Sequence, residues 1–416
     1  MNQTMQIRKH RFLSYLSLGL ACMSMHGTSL QAEKNWLQFR GSTFNPVVSD
    51  SKLPIEFGGD EKKNIAWRIE IPGRSVGGVI VVGDQVLTTT STGMDQRRIQ
   101  LLSYSSKDGK QLWEQEFVAR GRPFCHPTSA NAAPTPASDG ENIYAFFSSN
   151  DLACVNIQGE LLWYRSLASD FPKAGNDTGM SSSPVVVDGV CIVQVECQGD
   201  SFAAGLDTRS GATLWKIDRP SKANWSSPTS AKSADGESWV IMHSGSDLLA
   251  VSPKDGSVQW KIDIGCSTYS SSLAVNNRLF VPAGGMTAFD LSSVGKEPSK
   301  LWDENKLNSN PCSPVVLDDR IYAVNKSILI CSDIYTGKVI WQSRIVEGSV
   351  WSSPVVVGKN LYLFSQDGKC SVVKLGENEA ERLATNSLGD DVLGSPAVVN
   401  NAMYVRSVSA LWKIAE

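Results

Sequence analysis

The sequence predicts an all-β chain folded as a single eight-bladed β-propeller of four-stranded antiparallel blades, closed by an N-terminal strand in the last blade. Two repeated phrases and one leftover strand carry that prediction. Tryptophan recurs at Trp67, Trp113, Trp163, Trp215, Trp260, Trp302 and Trp341, separated by 46, 50, 52, 45, 42 and 39 residues. A period of this size belongs to propellers and solenoids. A second phrase, of the form "SSPVVV", stands upstream of the tryptophans, with proline at Pro136, Pro184, Pro228, Pro314, Pro354 and Pro396. "YSSSLAVNNRLFV" is a further copy with Leu273 in the proline slot, and "VGGVIVVGDQVLT" is a glycine-rich copy, which makes eight openings. The leftover strand is "NIAWRIEI", Asn64 to Ile71, which precedes the first opening, while the last unit stops after three strands. Lending Asn64–Ile71 to the last blade closes the ring and removes free sheet edges.

Within a unit the elements follow in order. The opening supplies a short apolar strand. A polar turn such as Asp188-Gly189 or Gly358-Lys359-Asn360 leads into a second. The third strand carries a slot for small residues: Ser103, Cys154, Gly205, Ala250, Ala288 and Cys331, with Val372 in a weaker copy. Close packing between sheets explains such a slot, so Cys154 and Cys331 read as buried small hydrophobes. The fourth strand is the tryptophan strand. Five tryptophans have glycine four residues earlier, at Gly109, Gly159, Gly211, Gly256 and Gly337, the mark of a tight hairpin in which glycine takes positive φ. "DLSSVGKEPSKLW" has a longer turn before Trp302, and the seventh unit has Leu383 where tryptophan is expected. An indole on an outer hairpin can wedge between neighbouring blades, burying roughly 200 Å² and worth at most ~5 kcal/mol. The seven repeat tryptophans are therefore expected to be structural blade-docking residues.

The first residues differ from the rest. Arg8, Lys9 and Arg11 precede an apolar run, Phe12 to Met25, too short to span a bilayer, and "TSLQA" ends in a small residue at Ala32. This reads as a signal peptide over 1–32, a leader over 33–63 and the propeller over 64–416, exported to the periplasm or beyond. An uncleaved anchor and lipidation at Cys22 are the alternatives. Without Arg8, Lys9 and Arg11 the formal charge moves from −3 to −6, and no Lys/Arg cluster is left to neutralise phosphates, which argues against a nucleic-acid partner.

The "DxxTGxxxW" hairpins, clearest in Asp333–Trp341 and Asp207–Trp215, together with the "SSP" openings, resemble the quinoprotein-type propeller of the PQQ-like repeat superfamily. "NWLQFRG", Asn35 to Gly41, is similar to the leader of small secreted members, and the stretch Thr135 to Leu167 resembles PQQ-binding-like repeat proteins. The resemblance implies one of two branches. One contains calcium- and PQQ-dependent dehydrogenases. The other is non-enzymatic and includes the propeller lipoprotein of outer-membrane β-barrel assembly. The first implies a quinone between a Trp and a disulfide of adjacent cysteines, a calcium on carboxylate and amide oxygens, and an Asp base. The chain has no adjacent cysteines, is shorter than the usual enzymes, and offers a hard cation only "ECQGD", Glu196 to Asp200. No CxxCH motif is present for covalent haem, no GxSxG elbow, and only His126 and His243 follow Ala32, too few for a zinc site.

What is individual in the chain lies in the loops between units, which gather on one face of a propeller. "FVARGRPFCHPTSAN" carries Arg120, Arg122 and His126, and "SLASDFPKAGNDTGM" carries Asn176 and Asp177. Trp225 and Trp351 stand three positions before the proline of their openings, and Tyr269 heads the "YSSSL" copy just before its slot, so the three should converge at the channel mouth. Aromatic and arginine side chains are common anchors for partners. The expected face for a partner or ligand is Arg122, His126, Asn176, Asp177, Trp225, Tyr269 and Trp351. The leading expectation is a secreted, monomeric, non-catalytic propeller, associated with the envelope and serving as a protein-interaction or assembly scaffold, with no metal. The alternatives are a small oxidoreductase binding PQQ and Ca²⁺, and a carbohydrate-binding propeller.

Overall fold

The computed structural model describes residues 35–175, 178–293 and 297–416. The stretch 1–32 expected to be a signal peptide, with Cys22, and Asn176 and Asp177 lie outside the described residues. The described residues build eight four-stranded antiparallel blades in chain order: 80–118, 137–166, 185–218, 229–262, 273–304, 315–344, 355–387, and 397–414 with the early strand Ile65–Glu70. The early strand pairs antiparallel with Ala410–Ile414, so the ring closes as the leftover strand requires.

The inner strands are largely buried, and wholly so in Ile80–Val82 and Val355–Val357, because a blade is covered on both faces by its neighbours. Outer strands such as Gln111–Val118 alternate between exposed and half-buried positions, since the blades diverge toward the rim. Each repeat tryptophan from Trp113 to Trp341 pairs across the ladder with the small slot: Trp113 with Ser103, Trp163 with Cys154, Trp215 with Gly205, Trp260 with Ala250, Trp302 with Ala288 and Trp341 with Cys331. A Cβ built on Gly205 would lie 2.3 Å from the Trp215 indole, which explains the smallest occupant.

The indoles then reach the following blade. Trp113 Nε1 donates to Ile157 O at 3.0 Å, Trp163 to Thr208 O at 3.0 Å, Trp215 to Pro253 O at 2.7 Å, Trp302 to Ile334 O at 3.0 Å and Trp341 to Gly376 O at 3.2 Å. Trp67 crosses the closure in the same way, to Ser106 O at 3.3 Å. The ring faces of Trp67, Trp113, Trp163, Trp215 and Trp302 lie on the hairpin glycine of that next blade. A Cβ on Gly159 would come within 2.6 Å of Trp113, and one on Gly211 within 2.7 Å of Trp163. Trp260 differs: its Nε1 has no partner among the described residues, and it sits edge-on to Trp239 at 6.0 Å.

Two slot assignments move by one residue. The fifth opening strand begins at Leu273, as the others begin at the residue after proline (Val185, Val315, Val355), so Ser272 occupies the proline slot rather than Leu273. In blade 7 the residue paired with Val372 is Ala384, not Leu383, because the ladder skips a residue between Val372 and Val373. A short apolar strand does not state its own phase. The hydrogen-bond ladder sets it.

The leader as far as Val48 runs inside the ring. Trp36 bridges Val81 of blade 1, the Ser138 N–H donates to Leu37 O in blade 2, and Asn45 exchanges hydrogen bonds with Val316 in blade 6. Val47–Val48 then pairs parallel with blade 7 as a fifth strand. Between these contacts lies Arg40, 1% exposed and at φ 66°.

Candidate functional site at the channel mouth

The residue just before each proline slot turns inward at the top of the channel. In seven blades it carries a hydroxyl, and each hydroxyl oxygen accepts an amide N–H from the equivalent residue of the blade before. Gly78 N–H donates to Thr135 Oγ1 (2.9 Å), Thr135 N–H to Ser183 Oγ (3.0 Å), Ser183 to Ser227 (2.9 Å) and Ser227 to Ser271 (2.9 Å). The chain continues from Ser271 to Ser313 (2.9 Å), Ser313 to Ser353 (3.1 Å) and Ser353 to Ser395 (2.8 Å). Gly78 fills the eighth place, where a Cβ would lie 2.8 Å from Ser395 O. The phrase "SSP" thus has a use that reading it as strand alone missed: its second serine ties one blade to the next around the axis. Its constant place before proline was the available signal.

Above this ring is a cavity of about 490 Å³. Phe39 of the leader, His126, Trp225, Tyr269 and Trp351 line it together with five of the ring residues, Thr135, Ser183, Ser227, Ser271 and Ser395. The three aromatics expected to converge do so. Trp225 and Tyr269 stack nearly parallel, 5.0 Å apart at 6°, and Trp351 meets Tyr269 edge-on at 6.2 Å. Trp225 is held by Nε1 donating to Gly179 O (2.7 Å) and by its own N–H donating to Thr268 O (2.8 Å). Tyr269 and Trp351 remain 43% and 45% exposed. His126 also lies on the cavity. Its Nδ1 accepts the Thr128 N–H at 3.2 Å, so the neutral ring carries its proton on Nε2. Arg122 is exposed and stands outside the cavity lining, its guanidinium 5.1 Å from the centre of the Phe124 ring.

Behind Trp225 is a buried polar cluster that sequence reasoning did not assemble. Arg219 donates from Nε to Glu196 Oε1 (2.7 Å) and from its two terminal nitrogens to Asp247 (3.1 and 2.8 Å). All three residues are buried. Gln194 Nε2 donates to Glu196 as well, at 2.8 Å. Burial raises the Glu196 pKa above the usual carboxylate value in spite of Arg219. Asn224, the neighbour of Trp225, donates to His243 O at 2.8 Å and accepts the Ser226 N–H at 3.2 Å, which links the cluster to the mouth loop.

His243 is buried with no hydrogen-bond partner at either ring nitrogen among the described residues. Burial, aided by the Arg219 charge and opposed by Asp247, lowers its pKa to about 4. The unfolded chain binds this proton near pH 6.5, before the native state does, so acidification from there to about pH 4 removes up to about 3 kcal/mol of stability. Glu196, with its raised pKa, acts in the opposite sense over its own window. The urea midpoint is expected to fall as pH drops from 6.5 toward 4, and His243→Leu should flatten that slope. Parallel slopes for the two proteins would show that His243 titrates freely.

These features can be set beside known proteins. A family model described as "Outer membrane protein assembly factor BamB" matches residues 59–196 and 173–343, more than half of the chain. The chain belongs to this family. Among curated relatives of the BamB-family chain, BamB of Shewanella oneidensis is 21% identical over 307 residues, covering 73% of this chain and 66% of that protein. A polyvinylalcohol dehydrogenase of a Pseudomonas species is 22% identical over 354 residues, covering 73% of this chain and 49% of that protein. The chain thus spans about half of one relative and just under two thirds of the other. Among solved structures, a europium-containing methanol dehydrogenase shares the fold at a TM-score of 0.66 and 12% identity, over 92% of this chain and 98% of that one.

The dehydrogenase likeness raises the question of PQQ and calcium. Among the described residues no Asp or Glu lines the cavity, and no cluster of three His, Cys, Asp or Glu could hold a metal ion. Glu196 is committed to Arg219, and Asp200 accepts the Lys173 N–H at 3.2 Å. The parallel faces that could sandwich a planar ring, Trp225 and Tyr269, are closed on each other. The eight described cysteines are free thiols, with Cys154 and Cys331 buried opposite Trp163 and Trp341. The described residues therefore do not fit a calcium–quinone pair.

Proposed function

We propose that this BamB-family propeller is an exported docking protein of cell-envelope assembly, and that a protein partner seats on the channel mouth. The observation that carries the reading is the aromatic wall. Tyr269 and Trp351 stay 43% and 45% exposed above a run of seven hydrogen bonds that links the eight blades, and large aromatics at a concave centre are where binding energy concentrates. The family match and the BamB relative support the assembly setting. His126 and Arg122 add polar contacts at the rim, and Asn176 and Asp177 belong to the same loop region by sequence.

A photo-crosslinking residue at position 351 tests the proposal in the native cell. Trp351→p-benzoylphenylalanine should yield a discrete crosslinked band, whereas the same residue at Leu112, exposed on the outer rim, should not. Equal labelling from both positions, or none from 351, would reject the mouth as the docking face.

A further inference from the structure

The hydroxyl ring is engaged through its acceptors alone. Each of its seven oxygens accepts an amide N–H, and among the described residues none donates to an acceptor. A serine or threonine hydroxyl always has one proton to give. On the five that line the cavity, Thr135, Ser183, Ser227, Ser271 and Ser395, that proton is left for whatever enters the channel. The rest of the wall adds more donors and no negative charge: His126, Thr128, Ser129 and Gln366 line the cavity, and no Asp or Glu does among the described residues.

A cation stands directly below. The Arg40 guanidinium donates to Ser272 O at 3.0 Å and Pro314 O at 2.5 Å, and its Nε is unbonded. Ser272 and Pro314 are the residues that follow ring members Ser271 and Ser313, so the charge sits one residue beneath the ring. No carboxylate pairs with it among the described residues. Burial lowers its pKa only to about 9, so it is charged at neutral pH. A buried charge without a counter-charge costs several kcal/mol, and packing alone would be served as well by an apolar side chain.

A buried cation under an arc of free hydroxyl donors is the complement of an oxyanion. Phe39 and the stacked Trp225–Tyr269 pair add apolar surface beside it. We propose that the channel mouth is an oxyanion site, and that it takes a carboxylate carried by an apolar or aromatic segment of the docking partner. The ring hydroxyls bind the carboxylate oxygens, the Arg40 field balances the charge, and the aromatic wall holds the flanking side chain. This inference rests on the mouth being the docking face.

The unmodified protein tests it by calorimetric titration with 4-phenylbutanoate and with 4-phenylbutanamide, which differ in the charged head alone. The carboxylate should bind at least about tenfold more tightly than the amide, and more weakly as salt is raised. Arg40→Gln should lose about tenfold in carboxylate affinity, and Arg40→Lys should retain it. Equal binding of carboxylate and amide, or binding of neither, overturns the proposal without recourse to any variant. A folded Arg40→Gln protein with native affinity removes Arg40 from the site. Selective carboxylate binding with no crosslinked partner from position 351 would leave the oxyanion site standing and reject the docking reading. A crosslinked partner with no preference for the carboxylate would do the reverse.

Discussion

Trp163→Ala is expected to lower the unfolding free energy by about 3–5 kcal/mol. The side chain is 8% exposed, pairs with Cys154 in its own blade, donates to Thr208 O in the next, and covers Gly211. Its loss opens a cavity at a junction that must hold for the ring to stay closed. Gly211→Ala attacks the same contact from the other side. Gly211 has φ +69°, and its new Cβ would meet the Trp163 ring at 2.7 Å. The left-handed backbone and the clash together should cost about 2–4 kcal/mol. Gly189→Ala is the control: φ is +77° but nothing lies within 4 Å, so only the backbone cost of about 1–2 kcal/mol applies. In the double variant Trp163→Ala/Gly211→Ala the clash has no partner, and the loss should fall short of the sum by about 1–2 kcal/mol. Urea unfolding of the four proteins measures all of these. Strict additivity would mean that indole and glycine do not bear on each other across the blade junction.

Arg219→Met should be comparably damaging, by about 3–5 kcal/mol. The substitution leaves Glu196 and Asp247 buried without the cation that both now share. Adding Glu196→Gln and Asp247→Asn to Arg219→Met should recover most of the loss, because the cost lies in orphaned charge rather than in missing bonds. An Arg219→Met protein within about 1 kcal/mol of the native one would imply that water reaches the carboxylates. The cluster also supports the mouth through Asn224, so the same variant should weaken crosslinking from position 351.

Much of the fold was legible because a propeller writes its unit repeatedly. The tryptophan period, the openings and the unpaired strand before the first opening are enough to infer eight blades and their closure, and the small slot opposite the indole follows from packing. The two slots read one residue out, Leu273 for Ser272 and Leu383 for Ala384, show where that legibility stops. An apolar run of only three residues looks the same in either phase. At the mouth, the repeat offset alone brought Trp225, Tyr269 and Trp351 together, since equal positions in a ring of equal units must share one radius and height.

The remainder of the site has no such periodicity. Arg40 reads as part of a leader, and nothing local says that it ends beside Ser272 and Pro314, 232 and 274 residues away. Glu196, Arg219 and Asp247 come from three separate segments and look like ordinary surface charges in a polar turn, a strand end and a loop. The sequence by itself determined the repeating unit, the number of units and the aromatic wall, because strand period, turn chemistry and packing slots are local and recur in every copy. Only the tertiary structure decided the strand phases, the course of the leader through the channel, the buried Arg219 clasp and the circle of hydroxyls, because each depends on which distant backbone and charge arrive beside it when the ring closes.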